Sequence, residues 1–310
     1  MRIITFLINI ALGLGLLLSS CSRDDHAESP ESSLRLELSL PSGTMPPYSR
    51  GNALVLRATV EIDDVHGLTV HRRVFAPVLD SDSSFVYTAD LPPGKYRVKI
   101  WTDRTTPSLG HHCYDNTLMT SVLLRTGDYI ADPEARDAAY FSAEVELQRS
   151  GTTVRVPLVR PMARYRIVTT DAERYRELSR LFPSDYPPLE ELTARIAYEQ
   201  FLPSSFNVVT GRPNDSATGV SYSFTPVAGP DGLMTVGSDF VLTNGSESFV
   251  RLTIAFIDST GRTVRSVSGV RVNYRRGYTT TVSGSLLTGS AAGGGITIDT
   301  SWGKDIIIDF

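Results

Sequence analysis

The chain has 310 residues, 41% of them hydrophobic, and a formal net charge of −4. A sequence this long can bury a sizeable core without disulfide staples, and its only cysteines are Cys21 and Cys113. The 30 basic residues include just three lysines, Lys95, Lys99 and Lys304, and form no block or stripe, which argues against nucleic acid as a partner.

Arg2 precedes an almost wholly apolar run, residues 3–18, the layout of an export signal. The run is short for a membrane-spanning helix, which needs about 20 apolar residues and flanking anchors. It ends in Leu18-Ser19-Ser20-Cys21, which resembles the bacterial lipobox. Small side chains fit the signal peptidase, and the thiol of Cys21 accepts the lipid. Residues 1–20 are then a lipoprotein signal peptide, and acylated Cys21 ties the product to outer-membrane lipid. The next residues, Ser22, Arg23, Asp24 and Asp25, resemble the charged export signal of Bacteroides-group surface lipoproteins. Residues 21–33 read as a lipidated flexible tether, polar and without apolar periodicity. Without residues 1–20 the chain has 290 residues and a charge of −5. Lipidation of Cys21 leaves Cys113 with no intramolecular partner.

From residue 34 the apolar period is two. Leu34, Leu36, Leu38 and Leu40 alternate with Arg35, Glu37 and Ser39, placing the leucines on one strand face. The pattern returns at Leu54–Ile62, Tyr96–Ile100, Ala143–Leu147 and Val154–Leu158, with turn residues at Pro41-Ser42-Gly43, Asp63-Asp64, Pro92-Pro93-Gly94 and Ser150-Gly151. Half-polar strands with little helix between them predict an antiparallel β-sandwich. At residue 170 the pattern changes. Thr170 and Glu173 fit a capping box, and Tyr175, Leu178 and Leu181 recur at helical spacing, so one amphipathic helix is expected over 171–182, ended by Pro183. Residues 189–202 fit either a helix or a strand. Strand patterns resume at Val220–Phe224, Leu252–Phe256, Val272, Tyr278–Val282, Ile296–Ile298 and Ile306–Phe310. The fold class is therefore all-β with minor α: an N-terminal sandwich domain over 34–161 and a C-terminal one over 162–310.

The stretches Leu91-Pro92-Pro93-Gly94-Lys95-Tyr96, Arg136–Tyr140, Val156–Ala163, Val272–Arg275 and Ser283–Thr288 together resemble the fimbrillin-like surface lipoproteins of the Bacteroides group. That resemblance covers roughly residues 34–310. It implies tandem transthyretin-like sandwiches and a role as fimbrial subunit, anchor or accessory protein. The run Arg275-Arg276-Gly277-Tyr278 is longer than the family's corresponding turn. In polymerising members, a cut in a loop after the first strand lets a neighbour's strand fill the vacancy. Here Arg50, in Pro46–Asn52, is the candidate cleavage point. The candidate donor is the run 306–310, in which Ile306, Ile308 and Phe310 share a face. Other fimbrial subunits would then be partners by strand addition.

No nucleophile elbow, phosphate loop or recognisable pair of catalytic carboxylates is present, and no cofactor or metal is expected. Adjacent His111, His112 and Cys113 would point to opposite faces of a strand and cannot easily share one ion. Asp103, Asp115, Asp128 and Asp137 lack the spacing of a calcium loop and read as turn caps. The first reading is a non-catalytic surface lipoprotein serving as fimbrial anchor, accessory subunit or adhesin. The alternatives are a glycan- or nutrient-binding lipoprotein, with Trp101, Tyr274 and Trp302 as possible stacking rings, and a hydrolase whose site is assembled from distant residues.

Overall fold

The computed structural model describes residues 32–42, 54–127, 129–131, 135–229, 233–244, 247–289, 300–301 and 304–309; at 247, 300–301 and 304–309 it describes the backbone alone. The first part of the chain carries β1 (Ser32–Ser39), β2 (Val55–Asp63), β3 (Thr69–Phe75), β4 (Ser84–Leu91), β5 (Gly94–Thr105), β6 (Tyr114–Asp115), β7 (Val122–Leu124), β8 (Ala139–Leu147) and β9 (Thr152–Pro157). The second part begins with β10 (Met162–Thr169), helix α1 (Ala172–Leu181), β11 (Thr193–Tyr198), β12 (Leu202–Asn207), β13 (Arg212–Ala217), β14 (Ser221–Phe224) and β15 (Val227–Ala228). It continues with β16 (Met234–Leu242), β17 (Glu247–Ile257), β18 (Thr263–Arg275), β19 (Thr279–Gly284), β20 (Thr300–Ser301) and β21 (Lys304–Asp309). Among the described residues no helix is long and apolar enough to cross a membrane.

Both parts repeat one topology. The first pairs a sheet of order β4-β1-β9 with one of order β3-β2-β5-β8. The second contains β16-β10-β19 within a six-stranded sheet, opposite β14-β11-β17-β18. In each, the opening strand lies between an antiparallel strand, β4 or β16, and a parallel one, β9 or β19. The strand insertions differ: β6 and β7 in the first part, β12 and β13 in the second. These insertions meet in a further sheet of order β13-β12-β7-β6, paired through Ser205 with Leu123 and Phe206 with Val122.

Alternation explains how the parts join. Val98 and Ile100 of β5 face the first sandwich and are fully buried with Leu34, Leu36, Val60 and Ile62. Trp101, on the opposite face of β5, is also fully buried, but it packs in the second cluster, with ring centroids 5.4 Å from Tyr114 and 6.1 Å from Phe206. Tyr114, Val122 and Tyr140 join that same cluster, so packing crosses the chain position at 161–162. Arg276 fastens the junction. Its guanidinium donates to Tyr140 Oη at 2.9 Å, Gly211 O at 2.6 Å and Thr243 Oγ1 at 2.9 Å. Gly211 has φ +66°, and a Cβ there would stand 2.6 Å from Tyr140 Oη, so the turn requires glycine.

The helix spans Ala172–Leu181 with Asp171 at its N-cap, and the expected capping box does not form. The Asp171 carboxylate instead accepts from Thr288 N at 2.6 Å, Thr288 Oγ1 at 2.8 Å and Leu287 N at 3.2 Å, while Glu173 pairs with Arg176. A tertiary set of donors outcompetes the local cap. Tyr175 is buried as expected, but Leu181 is 67% exposed. Residues 189–191 form a 3-10 turn and 193–198 a strand, which resolves the ambiguous stretch.

Candidate functional site

The feature the sequence argument singles out is the first strand and what replaces it. Leu34, Leu36 and Leu38 of β1 are 0%, 0% and 1% exposed, while Ser33, Arg35 and Ser39 face solvent. Burying three such side chains contributes roughly 5–9 kcal/mol as an upper bound. Leu36 is central, opposite Tyr87 of β4 on one side and Val154 of β9 on the other. Eight residue pairs link β1 to β4 and six link it to β9. Its start is pinned by the Ser32 hydroxyl, which donates to Gln148 O at 2.6 Å and accepts from Gly151 N at 3.1 Å. Past its end, Leu158 N donates to Ser39 O at 2.9 Å, and Arg160 donates to Ser42 O at 2.9 Å while holding Asp137 at 2.8 Å. A groove of about 460 Å³ opens beside this end, lined by Leu38, Ser39, Ser84, Phe85 and Arg155 among others.

β1 is an internal strand of its sheet. Its departure would expose two facing ladders and a leucine-sized trough, and only a strand running parallel to β9 could restore both sets of hydrogen bonds. β10 occupies the matching place in the second sandwich, between β9 before it and α1 after it in the chain.

The expected donor run lies in the chain's own second sandwich. β21 pairs in parallel with β19, Ile306 opposite Thr280 and Ile308 opposite Val282. Phe310, Arg50, Cys21 and the residues Ser22, Arg23, Asp24 and Asp25 lie outside the described residues, as does Trp302.

Several of the other candidate residues serve the interior. Trp101 is fully buried and Tyr274 is 4% exposed, so neither is a sugar-stacking platform; core packing consumes both rings. Cys113 is buried, His111 Nδ1 is 3.2 Å from Asp115 Oδ2, and no group of metal-ligating side chains occurs among the described residues. Asp103 takes two bonds from Arg57 at 2.8 and 2.6 Å and one from the Trp101 indole at 3.1 Å. Burial pushes the Asp103 carboxyl above its ordinary range, and the Arg57 guanidinium opposes that rise.

One buried constellation escaped the sequence argument. Arg136, between β7 and β8, reaches Asp239 of β16 and Tyr129 Oη. Asp239 also accepts from Tyr129 Oη at 2.5 Å, Tyr198 Oη at 2.6 Å and Phe240 N at 2.7 Å. Tyr165 Oη lies 3.0 Å from the hydroxyls of Tyr198 and Tyr222. The side chains of Arg136 and Asp239 are 1% and 0% exposed. Burial holds Tyr129, Tyr165, Tyr198 and Tyr222 well above the usual phenol range and raises the Asp239 carboxyl despite Arg136. Arg136 and Asp239, from the two parts of the chain, thus meet in a buried polar cluster in which Arg136 Nε and one terminal nitrogen of its guanidinium have no hydrogen-bond partner among the described residues. Arg136 stands in one of the stretches that carry the family resemblance, which was the available signal.

Among solved structures, the chain is similar to the fimbrial anchor protein Mfa2 from Porphyromonas gingivalis, with 15% identity, 76% of this chain and 82% of that one covered, and a TM-score of 0.40. It is also similar to a fimbrial assembly protein from Parabacteroides distasonis, with 10% identity, 90% and 100% covered, and a TM-score of 0.40. A comparison with curated proteins finds no match. Residues 27–309 match the family described as "Family of unknown function (DUF6562)", and the chain belongs to that family.

Proposed function

We propose that this chain is a non-catalytic cell-surface lipoprotein of fimbrial type, acting as anchor, accessory subunit or adhesin. Acylated Cys21 would hold it in the outer membrane, with Ser22–Asp25 directing it outward and residues 21–33 lifting the sandwiches off the bilayer. The observation that carries the reading is β1 itself. The first described strand is the internal strand that completes the first sandwich, so a lipid tether joined to it would be fastened to the core rather than to a loose end. Pulling on such a tether would shear two ladders at once. Cleavage after Arg50 would free that strand, and the run Ile306, Ile308, Phe310 would be the segment lent to a neighbour. Lending it requires β21 to leave β19, a ladder of four residue pairs. Kept uncut, the chain would be a membrane-held terminus for other subunits.

Immunogold electron microscopy of intact cells tests this role. Gold along or at the base of surface filaments is the expected result. Diffuse gold with no relation to filaments would count against a fimbrial role, and intracellular label would exclude the surface altogether.

A further inference from the structure

The solvent face of the sheet β14-β11-β17-β18 carries an arginine cluster that the fimbrial reading does not use. Alternation along these strands buries Ile196, Leu252, Ile254 and Val272 and turns Arg195, Arg251 and Arg271 outward, all three exposed. Arg251 and Arg271 are directly opposite in the β17–β18 ladder, with Cβ atoms about 5 Å apart at such a pair, where like charges destabilise the sheet. Arg195 stands opposite Ala255, one strand over and about 13 Å further along. Among the described residues, none of the three arginines has a carboxylate partner. Arg195 donates to Ser221 Oγ at 3.5 Å, and Arg271 donates to Asn273 Oδ1 at 3.0 Å and lies 4.1 Å above the Phe249 ring. Glu199, on the same face, is occupied by the Thr253 hydroxyl at 2.9 Å and Gly269 N at 2.5 Å. In a chain of net charge −4, a repulsive pair of arginines backed by a 40%-exposed aromatic ring is a cost that folding does not require.

We propose that this face binds an acidic polysaccharide, one bearing carboxylate or sulfate groups. Guanidinium forks pair with such groups two bonds at a time, and stacking on Phe249 holds Arg271 flat before the ligand arrives. On the edge strand β14, Ser223 stands opposite Arg195 and Ser221 opposite Ala197, which adds hydroxyls beside the arginine at that end of the face. The span from Arg195 to Arg251 suits an extended polymer rather than a single small anion. Binding needs neither filament assembly nor the tether, so it stands or falls separately from the role proposed above.

The test uses the purified full chain with polygalacturonate and chondroitin sulfate as probes, neutral dextran as control and phosphatidylglycerol vesicles as a competing class. Binding of an acidic polysaccharide that weakens with added salt is expected. The R251S/R271S variant should lose at least about tenfold in affinity, and R155S, on the outer face of β9, should lose less than about twofold. Removing the repulsive pair should leave the thermal midpoint unchanged or raised, which separates loss of binding from loss of fold. Failure to bind either acidic polysaccharide overturns the proposal. So do equal affinity for dextran, binding confined to vesicles, and a double variant that binds like the parent.

Discussion

Asp239→Ala is expected to destabilise the folded chain by about 3–5 kcal/mol. The substitution leaves the Arg136 guanidinium buried without its counter-ion and strips the Tyr129 and Tyr198 hydroxyls of their acceptor. Arg136→Met alone should cost a similar amount, because it leaves a buried carboxylate. The double variant should cost clearly less than the sum, since neither charge is then stranded; a coupling of about 1–3 kcal/mol is expected for groups in direct contact. Urea unfolding monitored by tryptophan fluorescence provides the measurement. Trp101 lies on a strand of the first sandwich but packs in the second cluster, so its environment reports on both. A single-variant loss below about 1 kcal/mol would show that the buried ion pair does not lock the two parts together.

Leu36→Asp should be at least as damaging, at about 5 kcal/mol or more, because it places an unpaired carboxylate at a position with no solvent exposure. Tyr87 and Val154, its cross-strand neighbours, flank it, and no cation lies opposite it in either ladder. Arg35→Ser, one residue away on the solvent face, should change stability by no more than about 0.5 kcal/mol. The contrast between neighbours is a direct test of β1 as an internal strand, read from urea midpoints of the two variants. Equal effects would mean that residues 32–39 do not sit in the first sandwich.

The strands were the legible part of this fold because half-buried strands write a period of two. Alternation alone places Leu34, Leu36 and Leu38 on one buried face, and likewise Tyr96, Val98 and Ile100. The helix is legible from Tyr175 and its spacing, but its cap is not. A capping box is a local pattern, and nothing local reveals that Thr288, more than a hundred residues on, supplies the donors for Asp171. The β12–β13 hairpin is not legible because Pro203 and Pro213, with polar neighbours, conceal any alternation. The repeated topology leaves no matching motif in the two parts of the sequence; it appears only when the order of strands within the sheets is compared. The same reasoning applies to Arg136 and Asp239, which are separated by 103 positions and carry no spacing that couples them.

We propose that the chain is held in the outer membrane through acylated Cys21 and keeps its own β1. Mass spectrometry of the N-terminus of protein taken from the native cell surface tests it most directly. The account predicts a diacylglyceryl-modified Cys21 continuous with an uncut Arg50–Gly51 bond. A chain beginning at Met1, or at an unmodified residue other than Gly51, would contradict the lipid anchor; a chain beginning at Gly51 would contradict the retention of β1.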